Sequence, residues 1–161
     1  MPFNQTKDVL EQARKFHHKL SEFYEALRDS AEKERTRALL DYLSRHEQYL
    51  EDCLKEFMQE VSRNVADSYL QYGPDASTLR NIRDFKIKPS MEVEDVVAAA
   101  MHFDACLIKF YREMAEKTQN TKVREVFENL LVMEEHEQIE LSKTTIELGL
   151  LDEQLVVDET I

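Results

Sequence analysis

A shift of 87 residues lays the second half of this chain over the first without a gap. In that register Phe16 meets Phe103, Leu20 meets Leu107, Phe23 meets Phe110, Tyr24 meets Tyr111, Arg37 meets Arg124, Leu43 meets Leu130, Glu47 meets Glu134 and Leu54 meets Leu141. Eight identities within about forty positions, all at one offset, mark an internal duplication. The chain is therefore expected to build one structural unit twice.

The unit is a helical hairpin. Helical periodicity is strongest over roughly 6–30, 33–62, 91–118 and 121–148. Two glycines, Gly73 and Gly149, and three prolines, Pro2, Pro74 and Pro89, leave those stretches almost uninterrupted. Thr6, Ser30, Ser90 and Thr121 are the expected N-caps, with Glu92, Glu94 and Asp95 suited to the positive end of the third helix. Gly149 is the expected stop for the last. Almost nothing separates the first segment from the second, or the third from the fourth, so each pair folds back antiparallel. Residues 63–90 form a long crossover containing the breaker Gly73-Pro74-Asp75 and a short helix around Thr78 to Phe85. At about 3.3 Å per extended residue it can run the bundle's full length. The expected fold is a single all-α domain over 1–161, a four-helix bundle of two hairpins; 161 residues suffice for a real core.

The charge of −12 argues against nucleic acid or an anionic membrane as partner. Cys53 and Cys106 form no Cys-x-x-Cys pair and read as reduced thiols. The N-terminus lacks the pattern of a signal peptide, and no apolar run is long enough to span a bilayer, so the cytosol is the expected compartment.

The duplicated register then exposes one anomaly. The core stripes read Ala13, His17, Leu20, Tyr24, Leu27 on the first helix and Leu40, Leu43, Glu47, Leu50, Leu54 on the second. Their counterparts read Ala100, Asp104, Leu107, Tyr111, Met114 and Phe127, Leu130, Glu134, Glu137, Leu141. All are apolar or aromatic except one layer of His17, Glu47, Asp104 and Glu134, with Glu137 one turn along. Both His17–Glu47 and Asp104–Glu134 are separated by 30 positions, which puts the members of each pair at matching heights about 22 Å from their turn. Buried carboxylates must be neutralised, whether by protons, basic partners or cations. Two divalent ions would balance Glu47, Asp104, Glu134 and Glu137.

At this point the chain resembles the ferritin-like di-iron carboxylate proteins, the rubrerythrins especially. In that family the first and third helices each supply a Glu, commonly seven residues before a Tyr, and the second and fourth each supply Glu-x-x-His. Here His17 precedes Tyr24 by seven and Asp104 precedes Tyr111 by seven, while the other two motifs read Glu47-Gln48-Tyr49-Leu50 and Glu134-Glu135-His136-Glu137. The resemblance implies Glu47 and Glu134 bridging two metals, His17 on the first, and Asp104 and Glu137 on the second. Such a hard, oxygen-rich set favours iron or manganese over copper, with zinc an adventitious occupant. It further implies oxygen or peroxide chemistry fed by a separate electron donor, in a homodimer. The contrasting expectation is a degenerate scaffold without metal, acting as a binding or assembly module. Iron storage ranks below both. His18, His46, His102 and His136 are expected at the surface or behind the ligands, and Tyr24 and Tyr111 as core aromatics with hydroxyls reaching the polar layer.

Overall fold

A computed structural model describes residues 5–70 and 88–147, with side chains to residue 143 in the last helix. Helix α1 spans Thr6–Ser30 and α2 spans Glu34–Glu60. A single turn, α3, covers Arg63–Ala66; α4 then spans Val93–Lys117 and α5 Thr121–Glu147. Every boundary of the second hairpin lies 87 residues after its counterpart in the first. The duplication seen in side chains is thus also a duplication of backbone punctuation.

The starts of α1 and α4 show why. Both open on a reciprocal capping box: Gln5 with Asp8, and Glu92 with Asp95, again at the same offset. In each box the aspartate carboxylate accepts the backbone N–H of the cap residue, which the helix cannot satisfy. The caps expected at Thr6, Ser30 and Ser90 fall instead on Gln5, Lys33 and Glu92. Ser30 closes α1, its hydroxyl donating to Ala26 and Leu27 carbonyls. Thr6 is buried and donates to the Ser68 carbonyl. Asn120 rather than Thr121 caps α5, its Oδ1 accepting from the N–H of Lys122 and of Val123.

The crossover is anchored at both ends of the bundle. Near its start, Thr6 N–H donates to Ser68 O at 2.8 Å and the Gln5 amide donates to Asp67 O, so α3 sits against the beginning of α1. Near its finish, Glu32 N–H donates to Pro89 O and Thr36 Oγ1 to Met91 O, beside the α1–α2 turn. The connection therefore leaves one end of the bundle and returns at the other, as a crossover between two hairpins must. Gly73-Pro74-Asp75, the short helix expected near Thr78 to Phe85, and the stop at Gly149 lie outside the described residues.

All four long helices feed one core, with Leu10, Leu20, Tyr24, Leu40, Leu54, Phe103, Leu107, Tyr111 and Phe127 fully buried. Each large apolar side chain so enclosed contributes roughly 1.5–3 kcal/mol. The first hairpin has a polar clasp that the second lacks. Ser21 Oγ donates to Ser44 O at 3.1 Å and Ser44 Oγ donates to Ser21 O at 3.2 Å, drawing the α1 and α2 backbones together. The register places Ile108 and Leu131 at the matching positions. Ser21 is one turn from His17 and Ser44 one turn from Glu47, so the clasp fixes that pair.

Beside it, Glu51 is buried on α2 and takes both the Arg14 guanidinium and His18 Nδ1. Burial works against its charge, but His18, Lys55 and Arg14 together hold its carboxyl below the usual range. A depressed carboxyl stabilises the fold above the unfolded pKa of about 4.3, and that stabilisation disappears as pH falls through the folded value. Glu51→Gln is accordingly expected to lose about 1 kcal/mol at pH 7 and progressively less below pH 4. Urea denaturation at both pH values checks this, and equal losses would refute it.

Candidate metal centre

Midway along the bundle, α1 contributes His17 and α2 contributes Glu47, and the structure sets them in direct contact: His17 Nδ1 lies 2.6 Å from Glu47 Oε2. The other ring nitrogen, Nε2, lies 3.2 Å from Glu134 Oε1 on α5. That second approach has ion-pair length without hydrogen-bond alignment, since Nε2 and both Glu134 oxygens remain without a hydrogen-bond partner. One imidazole thus spans two carboxylates from opposite hairpins. Glu134 is fully buried, and Glu47 nearly so.

Asp104, on α4, is also buried. Burial, followed by the charges of Glu47 and Glu134, pushes its carboxyl well above the usual range. His17 feels the opposite balance. Burial opposes its positive charge, but Glu47 and Glu134 outweigh that and raise the imidazole well above its ordinary value. The His17 Nδ1 is hydrogen-bonded to Glu47 Oε2.

Tyr24 and Tyr111 enclose the layer. Burial first, and then Glu47 and Asp104, raise the Tyr24 phenol; burial, then Glu134 and Glu47, raise Tyr111. Both rings are fully enclosed, and the Tyr111 hydroxyl has no hydrogen-bond partner. Each phenol keeps its proton and faces carboxylates that could accept it.

Glu137 stands apart from this group. It is half-buried at the α2–α5 seam, where its Oε2 lies 2.9 Å from His46 Nε2. The duplicated register held an unread signal here. His46 replaces an apolar counterpart, Met133, and Glu137 replaces another, Leu50. Two polar departures from the repeat, one in each hairpin, meet each other. His18 and His136 lie at the surface against Glu22 and Glu51, and against Glu140. Cys53 and Cys106 are free thiols.

Among the described residues, no three His, Cys, Asp or Glu side chains are already disposed as a metal-binding group. The atoms without partners tell how such a group would be completed. A carboxylate buried with both oxygens unsatisfied, beside an unsatisfied imidazole nitrogen and an unsatisfied phenol, is a costly arrangement that an ion relieves. The donor set is oxygen-rich with one nitrogen, which suits iron or manganese.

A solved structure shares this architecture. It is that of a Thermotoga maritima protein provisionally described as ferritin-like and diiron-carboxylate, with a TM-score of 0.57 over 91% of this chain and 98% of that one, at 16% identity. The fold is ferritin-like. At that identity the likeness is one of fold and assigns no residue a role. No family model matches the chain, and no curated protein matches it. No helix among the described residues is long and apolar enough to cross a membrane.

Proposed function

We propose that this protein binds two iron or manganese ions in the middle of its bundle through His17, Glu47, Asp104, Glu134 and Glu137, and reacts there with oxygen or peroxide. The observation that carries the reading is Glu134, a carboxylate fully enclosed with neither oxygen hydrogen-bonded. The diiron-carboxylate description of the Thermotoga maritima protein supports it at the level of class.

When bound, the ions would supply redox electrons and a Lewis-acid site for an oxygen-containing substrate. The chain's own residues do the rest. Glu47 and Glu134 would hold the ions between the hairpins, and His17 would give up its proton to present a ring nitrogen. Asp104 would ligate as the carboxylate, so metal binding favours the deprotonated form of the layer. Tyr24 and Tyr111, with phenols kept protonated, stand ready to donate a proton or hydrogen bond toward the layer. The apolar rings and aliphatic side chains above and below keep water out. A separate electron donor and a homodimeric assembly complete the proposal.

Anaerobic loading with iron(II) or manganese(II), followed by elemental analysis, tests this. About two ions per chain are expected for the wild type and fewer than half that for Glu47→Ala with Glu134→Ala. A wild-type protein that emerges without metal overturns the reading.

A second reading has its own observation in favour: His17 already lies between Glu47 and Glu134, so protons alone discharge much of the layer. Under it the bundle is a metal-free scaffold for binding or assembly. The response of stability to metal separates the two.

A further inference from the structure

His46 and Glu137 lie outside the buried layer but within its electrostatic reach. Glu137 follows Glu134 by one turn, and its charge is felt by Asp104. Of the four carboxylates in the proposed ligand set, it is the one with appreciable solvent contact, its side chain being 19% exposed. It can therefore change position without dragging a fully hydrated charge into the core or stranding a buried one.

The imidazole opposite is held in place. Tyr42, His46 and Tyr49 share one face of α2 at helical spacing. The Tyr42 and His46 rings stack with centroids 5.7 Å apart and planes 9° apart, and Tyr49 covers the other side at 6.3 Å and 25°. A ring sandwiched in this way has little freedom to turn, and its Nε2 faces Glu137 Oε2. The carboxylate that this clamped, partly buried imidazole engages supplies the reason for the clamp.

We propose that His46 is a positioning residue that holds Glu137 at the rim of the bundle in the metal-free chain and yields it to the layer on metal binding. The proposal rests on the metal-binding reading above. It has a thermodynamic signature that a merely structural histidine lacks. A contact made only in the metal-free state opposes binding, so deleting it must tighten binding. Its size follows that of a partly exposed histidine–carboxylate contact, which corresponds to a two- to fivefold change in affinity.

Cobalt(II) titration of the intact chain, followed by ligand-field absorption, provides the readout. His46→Ala is expected to tighten cobalt binding about two- to fivefold. His46→Gln, whose amide can donate to the same carboxylate, should restore the wild-type affinity. In a Glu137→Gln background, His46→Ala should change nothing. Weaker binding in His46→Ala would make His46 itself a ligand and overturn the proposal, as would unchanged affinity or equal tightening in the Glu137→Gln background. A wild type that binds no cobalt, iron or manganese overturns the metal reading together with this one, whereas a wild type that binds while His46→Ala leaves affinity unaltered overturns this one alone.

Discussion

Replacing His17 with leucine is expected to lower the unfolding free energy of the metal-free protein by about 3–5 kcal/mol. The leucine fills a similar space, so the loss is electrostatic. Without the imidazolium, Glu47 and Glu134 would be left in the core with no positive partner at 2.6 Å and 3.2 Å. Breaking a buried charge pair strands its partner, a much larger effect than removing the whole set. The triple replacement His17→Leu, Glu47→Leu, Glu134→Leu should therefore recover most of the loss. Chemical denaturation followed by circular dichroism measures both. A single substitution costing less than about 1 kcal/mol, or a triple no more stable than the single, would show that His17 does not neutralise this layer.

Metal is expected to raise the melting temperature by roughly 5–10 °C at a free concentration one hundred times the dissociation constant. That follows from about 2.7 kcal/mol of linkage stabilisation and the usual response of a domain near this size. In Glu134→Leu the rise should vanish, while the metal-free melting temperature should itself increase, because a buried carboxylate without hydrogen bonds is removed. These opposite signs in one variant are hard to obtain any other way. Scanning calorimetry with iron(II) or manganese(II) under nitrogen checks them. No rise in the wild type favours the metal-free scaffold, and a rise that survives Glu134→Leu places the ion elsewhere.

Much of this architecture was legible because the chain repeats itself. Identical side chains at one offset gave the hairpin, its twofold use and the level of the polar layer, since residue spacing along a helix converts directly to height. The positions of the caps were less legible. Gln and Glu are unusual N-caps, and only the matched Asp8 and Asp95 reveal that each box is closed from the N3 side. Asp8 and Asp95 also stand 87 apart, so the signal was present in the same register.

The candidate site divides along the same line. Periodicity places His17, Glu47, Asp104 and Glu134 on inward stripes, and the structure buries all four. Periodicity also put Glu137 on the α5 stripe, yet it stands at the rim against His46. A helix turns 100° per residue, so Glu134 and Glu137 differ by 60° about the axis; a stripe contains both, whereas a single buried point admits one.

By itself, the amino-acid order determined two equal hairpins, their antiparallel pairing, and one level at which polar side chains interrupt an apolar interior. These depend on spacing along the chain, which helical geometry carries unchanged into space. Tertiary structure alone decided which partners meet across that level: His17 between Glu47 and Glu134, and Glu137 with His46. Those contacts depend on how one hairpin is rotated against the other, and rotation is set by the packing of every side chain in the core at once.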